Sequence, residues 1–368
     1  MRKCDEQTFG NASSIHSFGR DARVVLEQAR TEIAKTLHAT SAELIFTSGG
    51  TESINLGIEG LLARNNTGRK TIVTALVEHP AVLEVFATLE KRGFKIRYVP
   101  SVPFVASGGP ATYGQCSVEA LRSAITDDTA LVALMHANNE IGTVNNIAAL
   151  SRVAHDRGAL FFCDAVQSYG KIPVDVRDLD VDALAICAHK IYGPKGIGAL
   201  YVKGGISIEP LIRGGSQERN RRGGTESVSL AAGFQVAARE AQKEMRNVLV
   251  RTAKLKQFFV NALTEEIPGL IFTMHPDDAL PHIVSMTFEQ AEALEPEAII
   301  PGLDLRHIAA SNGAACSSGS GQPSHVLLAL GMTKAQAACA VRFSIGRDTT
   351  EKELSAAVTE LKDIVSVK

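Results

Sequence analysis

The chain has 368 residues, 45% of them hydrophobic, which supports a sizeable core and excludes a largely disordered protein. Its 38 basic and 40 acidic residues leave a net charge of −2, which argues against nucleic acid or an anionic membrane surface as the main partner. The polar start at Met1–Gly10 offers no signal-peptide core, and no apolar run approaches the ~18 residues of a membrane span. Six scattered cysteines (Cys4, Cys116, Cys163, Cys187, Cys316, Cys339) form no C-x-x-C pair, which speaks against a zinc knuckle or a disulfide framework. The expectation is a reduced, cytoplasmic α/β enzyme of two packed lobes or one large α/β unit, with no metal.

Taken in chain order, 20–38 places Val24, Val25, Leu26, Ala29, Ile33 and Leu37 on one helical stripe. A buried strand over 43–47 and a helix over 51–62 follow. A strand over 71–77 leads to a helix over 81–92, with Gly93 where a left-handed cap belongs. Further strands are predicted at 130–136, 159–165, 183–187 and 198–202. Continuous aliphatic runs between helices indicate a mostly parallel sheet covered on both faces. The rhythm changes after about residue 225, with a long helix from Ser229 to Phe259. Strands at 282–288 and 340–346 then suggest a smaller sheet. The last helix opens on a capping box, Thr350-x-x-Glu353. The division expected is 20–245 as a large domain, with 1–19 and 246–368 as a small one. Residues 311–325, rich in Gly and Ser, form the least structured segment and carry Cys316.

Five stations carry chemistry. Thr47-Ser48-Gly49-Gly50-Thr51-Glu52 lies between a strand and a helix, where glycines and free N–H groups suit a phosphate. It is neither a P-loop nor G-x-G-x-x-G, and taken alone an ordinary turn is the commoner reading. In Glu78-His79-Pro80, His79 falls at a helix N-cap and at a strand's carboxyl end, so it is a cap or a ligand-facing group. Asp164 ends a hydrophobic strand, where a carboxylate needs a cation or a capping role. Lys190 follows a buried strand, where an amine can be desolvated into a nucleophile or simply lie at the surface. Cys163, Cys187 and Cys339 read as packing, whereas Cys316 on its Gly/Ser loop reads as a reactive thiol. Together, a phosphate loop, a stacking histidine, a strand-end aspartate and a lysine amine are the parts needed to hold pyridoxal phosphate.

TSGGTES, EHPAV, MHANNEIG, FCDAVQ, AHKIYGPKGIGALYV, RGGTESV, SNGAACSSG and VRFSIGR occur in this order. The set resembles the motifs of cysteine desulfurases of the NifS/IscS type, within the class V aminotransferase-like, fold-type I pyridoxal-phosphate enzymes. The resemblance implies a mostly parallel large sheet with helices on both faces plus a smaller α+β domain. It also implies a homodimer that turns L-cysteine into L-alanine, leaves a persulfide on Cys316, and passes sulfur to an acceptor such as an iron–sulfur scaffold. On matching positions it makes Lys190 the Schiff-base lysine and Asp164 the partner of the pyridine nitrogen. Gln167 falls on the ring hydroxyl side, and His79 stacks on the ring as an acid or base. Gly50, Thr51 and His189 fall at the phosphate, and Thr225 reaches the phosphate of the neighbouring subunit. Asn139 falls near cofactor and substrate, and Arg342 clamps the substrate carboxylate.

Three positions depart from the pattern. The family's opening strand, L-D-x-A-A-T-T, has no counterpart in the eight residues before Phe9, so a truncated chain or a remodelled site is expected there. Cys187 stands where a phosphate-bonding serine is frequent, and Asn312 replaces a serine in the cysteine loop. Two other readings share the motifs: a pyridoxal-phosphate-binding paralogue serving as an interaction or regulatory protein, and a selenocysteine lyase-like enzyme.

Overall fold

The computed structural model describes residues 1–103, 113–274, 279–313 and 322–366. The chain forms two compact units. The first comprises Met1–Val99, Val118–His136 and Asn146–Met245, and the second Pro100–Ser117, Ala137–Asn145 and Arg246–Lys368.

The first unit is built on a seven-stranded sheet. Its strands are β1 (Leu44–Thr47), β2 (Thr71–Ala75), β3 (Lys95–Val99), β4 (Thr129–Met135), β5 (Leu160–Asp164), β6 (Ala183–Cys187) and β7 (Gly198–Val202). Their spatial order is β1-β7-β6-β5-β4-β2-β3. Strands β6, β5, β4, β2 and β3 run parallel, while β7 is antiparallel to both β6 and β1. Two reversals cancel, so β1 points the same way as β6. The carboxyl ends of β1, β2, β4, β5 and β6 therefore share one edge of the sheet, where open α/β sheets bind ligands. The sequence-predicted strands at 71–77 and 130–136 end earlier than expected, at Ala75 and Met135. Residues Leu76 to His79 thus form the turn beyond the strand.

Strands β4, β6 and β7 are buried throughout, as the unbroken aliphatic runs imply for a sheet covered on both faces. Helices α1 (Arg2–Gln7), α2 (Ser17–Thr36), α3 (Gly50–Ala63), α4 (Pro80–Lys91), α5 (Val118–Ala124) and α6 (Ile147–His155) belong to this unit. Helix α3 lies so near the sheet that a Cβ on Gly57 would sit 2.3 Å from Phe162 Cε2. Ile54, Leu61, Phe86, Phe162 and Leu200 fill the core around it. The edge strand β3 was not read from the sequence, because KIRYV is mostly exposed and lacks the aliphatic run of its neighbours.

Residues 1–19 lie in the first unit rather than with the small domain expected from sequence. Met1 contacts Gly233, residues 10–14 pack closely on the start of α2, and His16 Nδ1 accepts the Gly19 N–H to cap that helix.

The second unit carries a three-stranded antiparallel sheet of β8 (Leu270–Phe272), β9 (Ile283–Phe288) and β10 (Val341–Ser344), in the order β10-β9-β8. Phe259, Val284, Met286, Val341, Leu354 and Leu361 form its core, and Phe259 meets Phe343 edge-on at 5.2 Å. Segments 100–117 and 137–145, expected in the large domain, belong here. They are tied by Cys116 N–H to Asn145 Oδ1 at 3.0 Å and by Leu280 N–H to the Gly142 carbonyl at 2.7 Å. Among the described residues no helix is long and apolar enough to cross a membrane.

Candidate active site

The parallel strands deliver four of the five sequence-predicted stations to the shared edge of the first unit. At the end of β1 the chain turns through Ser48-Gly49-Gly50 into α3. Gly50 has no room for a side chain, since a Cβ there would lie 2.9 Å from Val166 Cγ2. A Cβ on Gly198 of β7 would lie 2.7 Å from the Gly49 carbonyl carbon. These absences let the backbone wrap a cavity of 390 Å³ lined by Ser48, Gly49, Gly50, Thr51, Glu52, His189, Lys195 and Gly196. The first N–H groups of α3, the Thr51 hydroxyl, His189 and the Lys195 ammonium suit an anion. Glu52 is engaged elsewhere. It accepts the Ser48 N–H at 2.7 Å and pairs with Arg222 at 2.8 Å, contacts that hold it below the usual carboxylate range despite partial burial.

His79 is indeed the N-cap of α4. Its Nδ1 accepts the Ala81 N–H at 3.0 Å, and Pro80 takes the first helical turn. The cap and a ligand-facing role are compatible, because the bond fixes the ring and leaves Nε2 as the protonated nitrogen of the neutral form. His79 and Thr51 line one cleft of 400 Å³.

Asp164 closes β5 and is buried. Burial pushes its carboxyl up to about 6, against the Val166 N–H bonded at 2.9 Å and the charge of Lys190. Gln167 lies on the turn that follows, its Oε1 accepting from Lys171 Nζ at 3.2 Å. Lys190 lies on the single turn His189–Ile191 after β6 and is exposed, the surface position that was one of its two readings. The strand ends at Cys187, so the lysine has already left the packed layer. His189 Nε2 is 3.9 Å from the Cys187 sulfur. Burial and the charges of Lys190, Lys195 and Lys171 push His189 below its ordinary value. Burial raises the Cys187 thiol to about 11, which keeps it neutral at pH 7. Thr225 is exposed and lines a second cavity, of 120 Å³, with Ser48, Gly196 and Arg222.

The remaining predicted residues belong to the second unit. Arg342 on β10 donates from Nη1 to the Asn139 carbonyl at 2.7 Å. Its backbone pairs with Ser311, where the Gly/Ser segment begins. Cys316 lies outside the described residues. Sequence reasoning missed Lys195 in the anion cavity, although GPKG was within a quoted motif.

This arrangement is shared with known proteins. The model of the aminotransferase class-V family matches residues 1–356. Cysteine desulfurase IscS of Dictyoglomus turgidum is 42% identical over 365 residues, spanning 99% of this chain and 90% of the relative. The chain belongs to the class-V aminotransferase family, in its cysteine desulfurase branch. Cysteine desulfurase NifS of Azotobacter vinelandii is 39% identical over 98% of this chain and 87% of its own. A solved NifS-like protein superposes with a TM-score of 0.89 at 32% identity, covering 99% of this chain and 93% of that one. SspA, solved in complex with cysteine, superposes at 0.78 with 34% identity, covering 94% and 93%.

Proposed function

We propose that this chain is a pyridoxal-phosphate-dependent cysteine desulfurase. The observation that carries the reading is the buried Asp164 carboxylate on the same sheet edge as the glycine-lined anion cavity and Lys190. Such a set fits a phosphorylated pyridine with an aldehyde. The cradle would take the phosphate, the carboxylate the ring nitrogen, and the exposed amine the aldehyde.

Pyridoxal phosphate supplies an electron sink for the substrate α-carbon. Every other part falls to the chain. Gly50, Thr51, His189 and, from the neighbouring subunit, Thr225 hold the phosphate. Asp164 would keep the ring nitrogen protonated, Gln167 would meet the ring hydroxyl, and His79 would cover the ring. Lys190 would hold the aldehyde of that group, and its amine would serve as the base for the substrate α-proton. Asn139 and Arg342 hold the substrate carboxylate, for which a planar guanidinium is suited. The Cys316 thiolate forms a bond to the substrate sulfur as the carbon–sulfur bond breaks. The electron pair stays with carbon, which takes a proton and leaves as alanine. The persulfide then passes to an acceptor protein such as an iron–sulfur scaffold. A homodimer working in the cytoplasm completes the reading.

The test is direct. Purified protein titrated with pyridoxal phosphate should develop a visible absorption band, and L-cysteine should then yield alanine and sulfide. Lys190→Ala should lose the band's protein-linked form, and Cys316→Ala should lose sulfide release. A protein that stays colourless, or is coloured but makes no alanine, refutes the reading. Faster turnover of selenocysteine than of cysteine would move it to the lyase class.

A further inference from the structure

The turn that carries Asn139 in the second unit is fixed by its own side chains. Asn138 Oδ1 accepts the N–H groups of Glu140 at 2.8 Å and Ile141 at 3.0 Å, and the Asn138 carbonyl accepts the Gly142 N–H at 3.1 Å. An asparagine that bonds the backbone just after it sets a turn without help from a sheet. The turn places the Glu140 side chain in the interior, 1% exposed.

Glu140 meets both flanks of the segment that bears Cys316. Ser324 Oγ donates to Glu140 Oε2. Ser324 is 3% exposed and also caps the short helix His325–Ala329, accepting the Leu327 N–H at 3.2 Å. On the other flank Gly313 holds a φ of 112°, and a Cβ built there would lie 2.5 Å from Glu140 Oε2 and 3.1 Å from Ser324 Cβ. Only glycine fits so close to a buried oxygen in that backbone conformation. Gly313 and Ser324 thus converge on one carboxyl group. Cys316, three residues beyond Gly313 in sequence, is held by the chain to within about 11 Å of it.

The same turn holds the residue read as the substrate clamp. The Asn139 carbonyl accepts from Arg342 Nη1 at 2.7 Å, and the Arg342 backbone exchanges two bonds with Ser311, at 2.6 and 3.1 Å. The bonds that set the guanidinium and those that set the flanks of the cysteine segment therefore start from adjacent residues, Asn139 and Glu140. The tie asks only for an acceptor at Oε2, which a carboxylate and a neutral acid both offer.

We propose that Glu140 is a positioning residue for sulfur transfer, whose buried Oε2 ties Ser324 to Gly313 and so keeps the Cys316 segment in register with Arg342. The role in sulfur transfer rests on the cysteine desulfurase reading. The tie itself is a property of the chain alone.

Two measurements on wild type, Glu140→Ala, Glu140→Gln and Ser324→Ala test it. The first uses cofactor-free protein with Cys4→Ser throughout, since Cys116, Cys163, Cys187 and Cys339 are buried. A nitroxide spin label on Cys316 reports local motion by electron paramagnetic resonance. Glu140→Ala and Ser324→Ala should each free the label to a similar degree, and combining them should add little, as for two partners of one bond. Glutamine, which can still accept from Ser324, should leave the spectrum as in wild type. A second label at Ser355→Cys, on the helix Glu351–Ser366 and with Cys316→Ser, should not change in any variant. A Cys316 label that keeps its wild-type motion in either alanine variant, a glutamine variant as loose as alanine, or equal loosening at Ser355 overturns the tie. Should Glu140→Ala not fold, Ser324→Ala decides the same point.

The second measurement uses protein loaded with pyridoxal phosphate and given L-cysteine. Glu140→Ala should keep cofactor affinity within about threefold of wild type but release sulfide about tenfold more slowly, the effect of one lost buried hydrogen bond. Glu140→Gln should restore the rate to within about threefold. Alanine turning over at the wild-type rate, or losing cofactor affinity in step with sulfide release, overturns the positioning role. Wild type that makes no sulfide removes the desulfurase reading and this role with it, while the label series still reports the tie.

Discussion

Removing the Glu218 carboxylate should destabilise the first unit more than removing both members of its ion pair. Glu218 is 5% exposed and Arg30 3%. The carboxylate takes two bonds from the Arg30 guanidinium, at 2.6 and 2.8 Å, and a third from the Phe46 N–H at 2.9 Å. It thereby ties residues 217–220 to β1, just before the anion-binding turn. Breaking one side of such a buried pair costs about 3–5 kcal/mol. Two features place Glu218→Ala near the lower end. Arg30 keeps the Leu44 carbonyl at 3.1 Å and Glu27 at 3.2 Å. Glu218, Arg219 and Asn220 all hold left-handed backbone, with φ of 47°, 57° and 63°. Release of that strain returns roughly 1 kcal/mol for each residue that relaxes. A net loss of about 3 kcal/mol follows. With a urea slope of about 3 kcal/mol per molar, the unfolding midpoint falls by about 1 M. The double variant Arg30→Met with Glu218→Leu leaves no buried charge and should recover at least about 1 kcal/mol of this. Urea unfolding followed by circular dichroism decides. A Glu218→Ala midpoint within about 0.2 M of wild type, or a double variant weaker than the single one, refutes the reasoning.

Other consequences are as concrete. Because burial lifts Asp164 to about 6, its charged form dominates only above that pH. Pyridoxal phosphate affinity should therefore rise between pH 5 and 7 in absorbance titrations, and that rise should shrink in Asp164→Asn. Equal slopes in the two proteins would count against a charge at Asp164. Gly57→Ala places a Cβ 2.3 Å from Phe162 Cε2. The overpacking costs about 1–3 kcal/mol and should outweigh the ~1 kcal/mol gain in helix propensity, giving a lower urea midpoint. An unchanged or higher midpoint would show that α3 can move off the sheet. Cys187→Ser exchanges a neutral thiol with a weak donor for a hydroxyl beside His189. Pyridoxal phosphate should bind more tightly, by up to about tenfold for one added hydrogen bond. Weaker binding by titration would mean that the sulfur serves packing alone.

Much of the site was readable along the chain, because each station joins a buried strand to a turn or helix. The strand end before Gly49-Gly50, His79 with Pro80, and Asp164 closing an aliphatic run are local patterns whose period and punctuation survive in one dimension. The cysteines behaved in part as read, with Cys163, Cys187 and Cys339 buried among the described residues. Edge strand β3 escaped notice for a local reason too, since an exposed strand need not be apolar.

What the sequence determined by itself was the order of strands and helices and the residue types at their junctions, since both follow from apolar period and from caps within a few residues. The tertiary structure decided everything that depends on distance across the chain. The cancelling reversals at β7 put the end of β1 on the same edge as β2, β4, β5 and β6. Segments 100–117 and 137–145 leave the first unit to pair with the second, which no local pattern announces. Lys190 proved exposed because β6 stops three residues before it. The upward push on the buried Asp164 carboxyl is likewise set by the tertiary structure. Ionisation is set by desolvation and by neighbouring charges, and residues 164 and 190 become neighbours only when β5 and β6 pair.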